Sequence, residues 1–394
     1  VIGSLERNAH PVTIAYFGSD WEGHNRTSVH HVARWLGARY RVLYFECPGL
    51  RAPTATTRDL SRLWQKVRLA FGPPRRPVPN VEVRTLLQLP MHRFALVRRI
   101  NEWLVTGRVR SALRPDRRRG APVIAWFVAP HVAPVAAHLD AALTVYYCVD
   151  DFAAFPGIDP GMIARMESLL GRHADIVFVA SATLMREKKA LAPVVIHAPH
   201  GVDVAHFAPA RQAPPRPIDL PEHGPIIGYF GSVADWIDLG LIQQLAERRP
   251  DWQFVLIGPI SVAAERLPTA PNVRLLGRRP YEDLPTYGRH FDVAILPYRP
   301  TQQVLRANPI KLREYIAMEK PIVALPTPDI LEFRDVVRTA STVDEWEAAV
   351  TDVLAEPDGR VRQERQRELA VGMSWDARLQ AVHDEVMSRL DPIR

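Results

Sequence analysis

Apolar residues come in short, nearly unbroken runs along this chain. They fall at 12–17, 41–45, 81–86, 123–128, 143–148, 176–180 and 194–197, then at 226–230, 253–257, 273–276, 292–296 and 322–325. Most lack the in–out alternation of a half-exposed strand, so they predict strands covered on both faces. Between them lie stretches with apolar residues at helical spacing, such as Ile237, Leu241, Ile242 and Leu245. Strand and helix taking turns predicts an α/β fold of doubly wound parallel sheets.

The two series of runs are separated by Pro209-Ala210-Arg211-Gln212-Ala213-Pro214-Pro215-Arg216-Pro217, which suits neither strand nor helix. The pattern divides into a first domain over 1–208, a linker over 209–223 and a second domain over 224–375. A last helix-like segment, 376–394, has no partner strand. A length of 394 residues accommodates two such domains. Apolar content of 47% is ordinary for a soluble chain with sizeable cores. No run approaches the roughly 18 apolar residues of a membrane span. No leader pattern opens the chain, although it starts on Val1 and so leaves targeting open. Cys47 and Cys148 are isolated and read as buried thiols in a reducing compartment rather than metal ligands.

Charge changes this picture locally. The formal net charge is +7, yet residues 58–119 hold sixteen Arg and Lys against Asp59, Glu82, Glu102 and Asp116, a local excess of +12. Two parts of this region look amphipathic. One carries Leu60, Leu63, Trp64 and Val67 among basic residues, the other Phe94, Leu96, Val97, Ile100, Trp103 and Leu104 beside Arg93, Arg98 and Arg99. Basic faces with Trp and Leu suit an anionic membrane surface. The same pattern also fits surface helices packed on a sheet. A nucleic-acid footprint ranks last, since no zinc finger, RNP-like strand or recognition helix accompanies the charge.

Candidate chemistry gathers where runs end. Asn308-Pro309-Ile310-Lys311-Leu312-Arg313-Glu314 reads as a helix start, with Asn308 as N-cap and Pro309 in the first position. Lys311 then lies in a first turn whose free amides and dipole favour an anion, and Glu314 follows on the same face. The pair suits a nucleotide diphosphate carrying a sugar; a solvated surface ion pair is the plainer alternative. Gly231-Ser232 ends the run 226–230 and offers amides for phosphate, while Arg278, Arg279 and Tyr281 supply cations and an aromatic face for a base. In the first domain, Gly18, Trp21, His24 and Arg26 follow the run 12–17 as an acceptor-side loop, or as a simple tight turn. Asp150 and Asp151 end the run 143–148, where ligand crevices of open sheets lie. Adjacent carboxylates repel, so one can be poised for proton transfer, or the pair can serve as cap and loop ligand. His131, after the run 123–128, is a further catalytic candidate.

These residues together resemble the bacterial GT-B-fold glycosyltransferases, in particular the family-four-like enzymes of exopolysaccharide and teichuronic acid synthesis. The resemblance rests on Pro199-His200-Gly201-Val202-Asp203-Val204-Ala205-His206-Phe207, similar to the family's NGVD…F, and on 228–236, 276–284 and 308–323. Ser374-Trp375 before a terminal helix is similar too. It implies two Rossmann-like domains facing a central cleft, with the last helix crossing back to the first domain. It also implies sugar transfer from a nucleotide donor in the second domain to an acceptor in the first. Lys311 then looks like the diphosphate ligand, Glu314 the ribose ligand, Gly231 and Ser232 the phosphate loop. Arg278 to Tyr281 surround the base. No metal or other cofactor is expected, because amides and cations neutralise the leaving diphosphate. Two departures stand out. Arg306 occupies the place of an acid usual in retaining members, and the basic pair usual after the phosphate loop is missing from 234–239. Inverting glucuronosyltransferases of exopolysaccharide assembly look similar in placing an acidic base near Asp150 or Asp151.

The expectation is a cytoplasmic glycosyltransferase, peripheral on the inner face of the plasma membrane. It would use a nucleotide sugar, UDP-linked in preference to GDP-linked, and a lipid-linked or polysaccharide acceptor. The alternatives are a GT-B-fold nucleotide-sugar epimerase or hydrolase, and a non-catalytic nucleotide-sugar or nucleic-acid binding protein.

Overall fold

The computed structural model describes residues 12–22, 27–47, 67–88, 95–208, 215–356 and 359–390. It separates into two compact units. The first gathers 1–180, 184–198 and 379–394; the second gathers 181–183 and 199–378.

The first unit is built on an eight-stranded sheet. Its strands are β1 (Thr13–Gly18), β2 (Arg41–Glu46), β3 (Arg75–Val78), β4 (Val81–Thr85), β5 (Val123–Phe127), β6 (Leu143–Cys148), β7 (Ile176–Val179) and β8 (Val195–His197), in the order β3-β4-β2-β1-β5-β6-β7-β8. All pairings are parallel except the β3–β4 edge. Parallel register puts like positions side by side. Tyr16 lies beside Tyr44 and Trp126, and Phe17 beside Phe45 and Phe127. Successive side chains leave opposite faces of a strand, so one aromatic ladder covers each face. Phe17 stacks on Phe127 at 4.4 Å and on Phe45 at 5.2 Å, while Tyr16 stacks on Tyr44 at 5.2 Å. These rings explain why the runs show no alternation: both faces are core.

The second unit has a wholly parallel six-stranded sheet. It comprises β9 (Ile226–Phe230), β10 (Gln253–Ile257), β11 (Val273–Gly277), β12 (Val293–Leu296), β13 (Ile322–Ala324) and β14 (Arg338–Thr339), ordered β11-β10-β9-β12-β13-β14. The twelve apolar runs all became strands. Two strands had no such run. β3 is the polar segment Arg75-Arg76-Pro77-Val78, turned back onto β4 at Asn80, whose φ of 59° suits a tight turn and whose amide donates to the Gly37 carbonyl. β14 is two exposed residues paired to β13.

The division of units differs from the expected boundary at 208. Residues 199–208 belong to the second unit because Val202 and Phe207 lie in its core. Val202 also exchanges main-chain bonds with the distant 373–375 segment: its N–H donates to the Met373 carbonyl, and its carbonyl accepts from Trp375. The linker segment is described only from 215, and 215–217 form no regular element. The last helix, Trp375–Leu390, is shared: residues from Leu379 onward group with the first unit, where His383 bonds the Tyr40 hydroxyl at 2.6 Å and edges onto Trp35.

Gly201 shows why the 199–207 motif has a glycine. A Cβ there would come within 2.8 Å of the Trp375 Cα, a main-chain atom that has no rotamer to escape into. Gly201→Ala is expected to cost about 1–3 kcal/mol, the range for overpacking a filled site. Urea unfolding followed by tryptophan fluorescence checks this; an unchanged midpoint would contradict it.

Candidate functional site

Parallel strands deliver their following loops to one edge of a sheet, the carboxyl edge, where ligands of open α/β sheets bind. In the second unit this edge is formed by the ends of β9, β10 and β12. The loop after β9 is pressed against that after β10: a Cβ on Gly258 would overlap the Gly231 carbonyl, and Gly258 itself sits at φ 149°. Gly231, at φ 151°, has no room for a side chain beside the Tyr229 hydroxyl. The sequence suggested that this loop offers its amides to phosphate. Two of them are committed within the chain, Gly231 N–H to the Ile257 carbonyl and Val233 N–H to Pro259. The reason is the close approach of the two loops, which pairs their backbones as an extension of the sheet.

Lys311 arrives from the helix Ile310–Ala317. Its ammonium lies 2.7 Å from the Glu314 carboxylate and 5.0 Å from the centre of the Phe230 ring, and its Cε would stand 3.5 Å from a Cβ on Gly231. The pair is no solvated surface bridge. Glu314 is only 2% exposed, whereas Lys311 keeps about a quarter of its side chain accessible. A buried carboxylate thus holds a cation at the mouth of the glycine loop. Beneath it, the Tyr315 hydroxyl accepts from the Phe230 N–H at 2.9 Å, fixing helix to strand.

Asn308 is not the helix cap. Pro309 occupies that place, and no side chain caps the helix. The Asn308 amide is drawn inward: its oxygen accepts from the His200 N–H at 2.9 Å and its nitrogen donates to Asp329. Asn308 therefore ties the 199–207 motif to the start of the Lys311 helix. Arg279 is likewise committed, to Asp219 at 2.6 Å, the Tyr287 hydroxyl at 2.9 Å and the Leu276 carbonyl at 2.6 Å. Tyr281 stacks on His206 at 4.4 Å and meets Phe207 edge-on. Arg278 is exposed. Of the second-unit residues singled out from sequence, Lys311, Glu314 and Gly231 come together with the unanticipated Phe230. Arg279 and Tyr281 build the wall behind their loop.

In the first unit, Asp150 and Asp151 follow β6 and take different roles. Asp151 is 4% exposed and caps the turn Phe152–Ala154 through the Ala153 N–H. Asp150 stays partly accessible and accepts from the Asp151 N–H at 2.8 Å. Burial of its carboxyl pushes its pKa up to about 7, helped by the charge of Asp151 and opposed by that hydrogen bond. Behind β6 lies a buried cluster that sequence reading missed. Glu167 accepts from the Tyr146 hydroxyl at 2.7 Å and from Lys188 at 2.6 Å, with Cys148 at 3.8 Å. Burial pushes the Cys148 thiol up to about 12, as suits an inert core thiol.

His131 lies in the 3₁₀ segment Pro130–His138 and lines a pocket with Gln88, Arg98, Asn101 and Met162. The loop after β1 departs from expectation. Trp21 is 8% exposed, wedged against Tyr44 and under the Arg34 guanidinium. Its main-chain N–H donates to Glu46, a buried carboxylate that also accepts from Thr85 and Arg75. The close approach at Gly18 is to the Tyr44 hydroxyl and Val29, not to open space. These contacts make Gly18 and Trp21 supports of the loop. His24 and Arg26 lie outside the described residues.

The model of the group 1 glycosyl transferases matches residues 224–356, within the second unit. A Bacillus subtilis (strain 168) protein described as a putative teichuronic acid biosynthesis glycosyltransferase, TuaH, is 24% identical over 388 residues, covering 93% of each chain. Among solved structures, sucrose-phosphate synthase from Thermosynechococcus elongatus gives a TM-score of 0.68 at 15% identity, over 96% of this chain and 99% of that one. An E. coli structure described as trehalose-6-phosphate bound with UDP-2-fluoro glucose gives 0.66 at 13%, over 95% and 98%. The solved structures bear on the fold, which is GT-B. The family match and the B. subtilis relative bear out the resemblance drawn from the motifs.

If Asp150 takes a proton during turnover, its charged form is the active one. Activity is expected to rise with pH through about 7, and Asp150→Asn to lose at least about 100-fold, within the range for removing a general base. Stability moves the other way. A carboxyl whose pKa is raised on folding stabilises at low pH and loses that contribution as pH rises through the folded value. Thermal melts at pH 8 should therefore find Asp150→Asn no less stable than wild type; a large loss there would mark Asp150 as structural.

Proposed function

We propose that this chain, a glycosyltransferase of the GT-B type, moves a sugar from a nucleotide-diphosphate sugar, in preference a UDP-sugar, onto a lipid-linked or polysaccharide acceptor. The observation that carries the donor half is the Lys311 ammonium, held by a buried Glu314 beside Gly231 at the carboxyl edge of the second sheet. An anchored cation at a helix start meets the charge that develops on a departing diphosphate, without a metal ion. Donor exchange of partners at Lys311, from Glu314 to phosphate oxygen, frees the carboxylate for ribose hydroxyls. That an E. coli structure of similar fold is described as bound with UDP-2-fluoro glucose supports the UDP preference.

The acceptor half rests on Asp150 as the base that removes a hydroxyl proton while the donor bond breaks, which makes direct inversion the favoured course. A role in envelope or exopolysaccharide synthesis is supported by the likeness to a protein described as a putative teichuronic acid biosynthesis glycosyltransferase. The helix Ala95–Arg118 supports placement at an anionic membrane. It carries seven arginines against Glu102 and Asp116, and exposes Leu96 and Trp103 by 70% and 75%. Of the basic segment that precedes it, residues 58–66 lie outside the described residues. No described helix is long and apolar enough to cross a membrane.

Lys311→Ala is expected to lower turnover of a UDP-sugar at least about 100-fold, on the scale of one lost oxyanion contact. Because it leaves the buried Glu314 carboxylate without its cation, a melting curve accompanies the assay. Folded protein with near-normal transfer would remove Lys311 from the donor site. Co-sedimentation with liposomes should need anionic lipid and weaken as salt rises. Trp103→Ala combined with Arg99→Gln should reduce it several-fold, and binding indifferent to lipid charge would reject this placement.

A further inference from the structure

Behind the end of β6 the first unit buries an ion pair that the sugar-transfer reading leaves unused. Lys188, the last residue of the helix Ala182–Lys188, reaches Glu167 of the helix Pro160–His173 at 2.6 Å. Their side chains keep only 13% and 9% of their surface. Tyr146 and Cys148, two apart on β6, leave the same face of the strand. Both meet Glu167: the Tyr146 hydroxyl donates to its carboxylate at 2.7 Å, and the Cys148 thiol lies 3.8 Å from it. The same thiol lies 3.5 Å from the Asp150 carbonyl. The pair is thus seated against the strand end that carries Asp150 and Asp151.

Lys188 answers to the aspartates as well as to Glu167. Burial works against its ammonium, yet the charges of Cys148 and Glu167, the hydrogen bond to Glu167 and the charge of Asp151 raise its pKa above the ordinary lysine value. Burial pushes the Cys148 thiol up to about 12, so this group is neutral at ordinary pH and adds no charge. The other charged groups on the two helices are exposed: Arg165, Arg172 and His173 on the first, Arg186 and Glu187 on the second, with Lys189 just after it. The 3₁₀ segment Pro130–His138, packed on the first helix, brings His131 and His138, and His138 is paired with Glu102. Exposed charges are screened by water and salt, buried ones much less. Lys188, Glu167 and Asp151 are therefore the charges that weigh most on Asp150. The cation favours its ionised carboxylate and the two acids oppose it.

We propose that Lys188 and Glu167 are positioning residues for the acceptor half of the reaction, an opposed buried pair whose balance sets the protonation of Asp150. The proposal rests on the reading of Asp150 as the base and says what tunes it.

The test reads the Asp150 carboxyl directly, by NMR of the full chain with isotope-labelled aspartate carboxyls. The Asp150 signal is the one that vanishes in Asp150→Asn. In the wild type it should titrate near the folded value of about 7. Lys188→Met removes the cation and should move the midpoint up by about half a pH unit or more. Glu167→Gln removes the opposing acid, keeps an oxygen for the Tyr146 hydroxyl, and should move it down by a similar amount. A pair that only holds the fold together would produce no opposite shifts. Lys188→Met leaves Glu167 buried without its cation and so risks unfolding. The double variant Lys188→Met with Glu167→Gln avoids that, and its midpoint should lie above that of Glu167→Gln alone. Unchanged midpoints, shifts of one sign in the two single variants, a double variant level with Glu167→Gln, or a wild-type Asp150 titrating in the ordinary carboxylate range would each overturn the proposal. Sugar transfer by Asp150→Asn at the wild-type rate, with the opposite shifts present, would instead sink Asp150 as the base and leave its tuning by the pair in place.

Discussion

The constraint on which the rest depends is one-way strand pairing. Thirteen of the fourteen strands among the described residues pair in parallel, and a parallel neighbour can only be reached by a crossover that covers a face of the sheet. Both faces are therefore buried, and within each sheet the loops that follow its parallel strands emerge at one edge. Within the second unit that places the ends of β9, β10 and β12 side by side, so loops far apart in sequence meet without any special device. The glycines at 231 and 258 answer to this crowding: the backbone of one loop lies where the other would need a Cβ. The price of the arrangement is two spent amides, and the gain is a rigid floor under Lys311.

A second consequence concerns buried charge. An ion removed from water needs a partner or it changes protonation state. Glu46 has three donors, Glu167 has a lysine and a phenol, and Glu314 has a lysine. Asp150 is the exception: its carboxylate accepts from the Asp151 backbone N–H, and its pKa climbs to about 7. A carboxyl near neutrality can both take and release a proton under ordinary conditions.

What could be read from the chain follows from locality. Strands covered on both faces leave continuous apolar runs, so all twelve runs were legible, while β3 and β14 were not: edge strands this short and polar owe their existence to a neighbour. Lys311 and Glu314 were legible because their spacing on one helix is itself the contact. Asn308 looked like a cap because its type and position fit one; it was drawn elsewhere by His200 and Asp329, partners 108 and 21 residues away. Trp21 and Arg279 likewise have partners that their sequence neighbourhood did not reveal, Tyr44 and Asp219. The pocket around His131 had no signature, since it is assembled from four separate segments.

The two adjacent aspartates show how the fold resolves an ambiguity that composition leaves open. Both end the same strand, and by residue type either could cap or catalyse. The chain must turn at once into Phe152–Ala154, and that turn needs an acceptor for the Ala153 N–H. Asp151 is the residue in register to supply it, so its carboxylate is spent on geometry. Asp150, one residue earlier, is left out of that cap and keeps some accessible surface. Its neighbour's negative charge then adds to desolvation in raising its proton affinity. The structural aspartate thus does more than cap a turn: its closeness to Asp150 is one of the causes that raise the proton affinity of that neighbour.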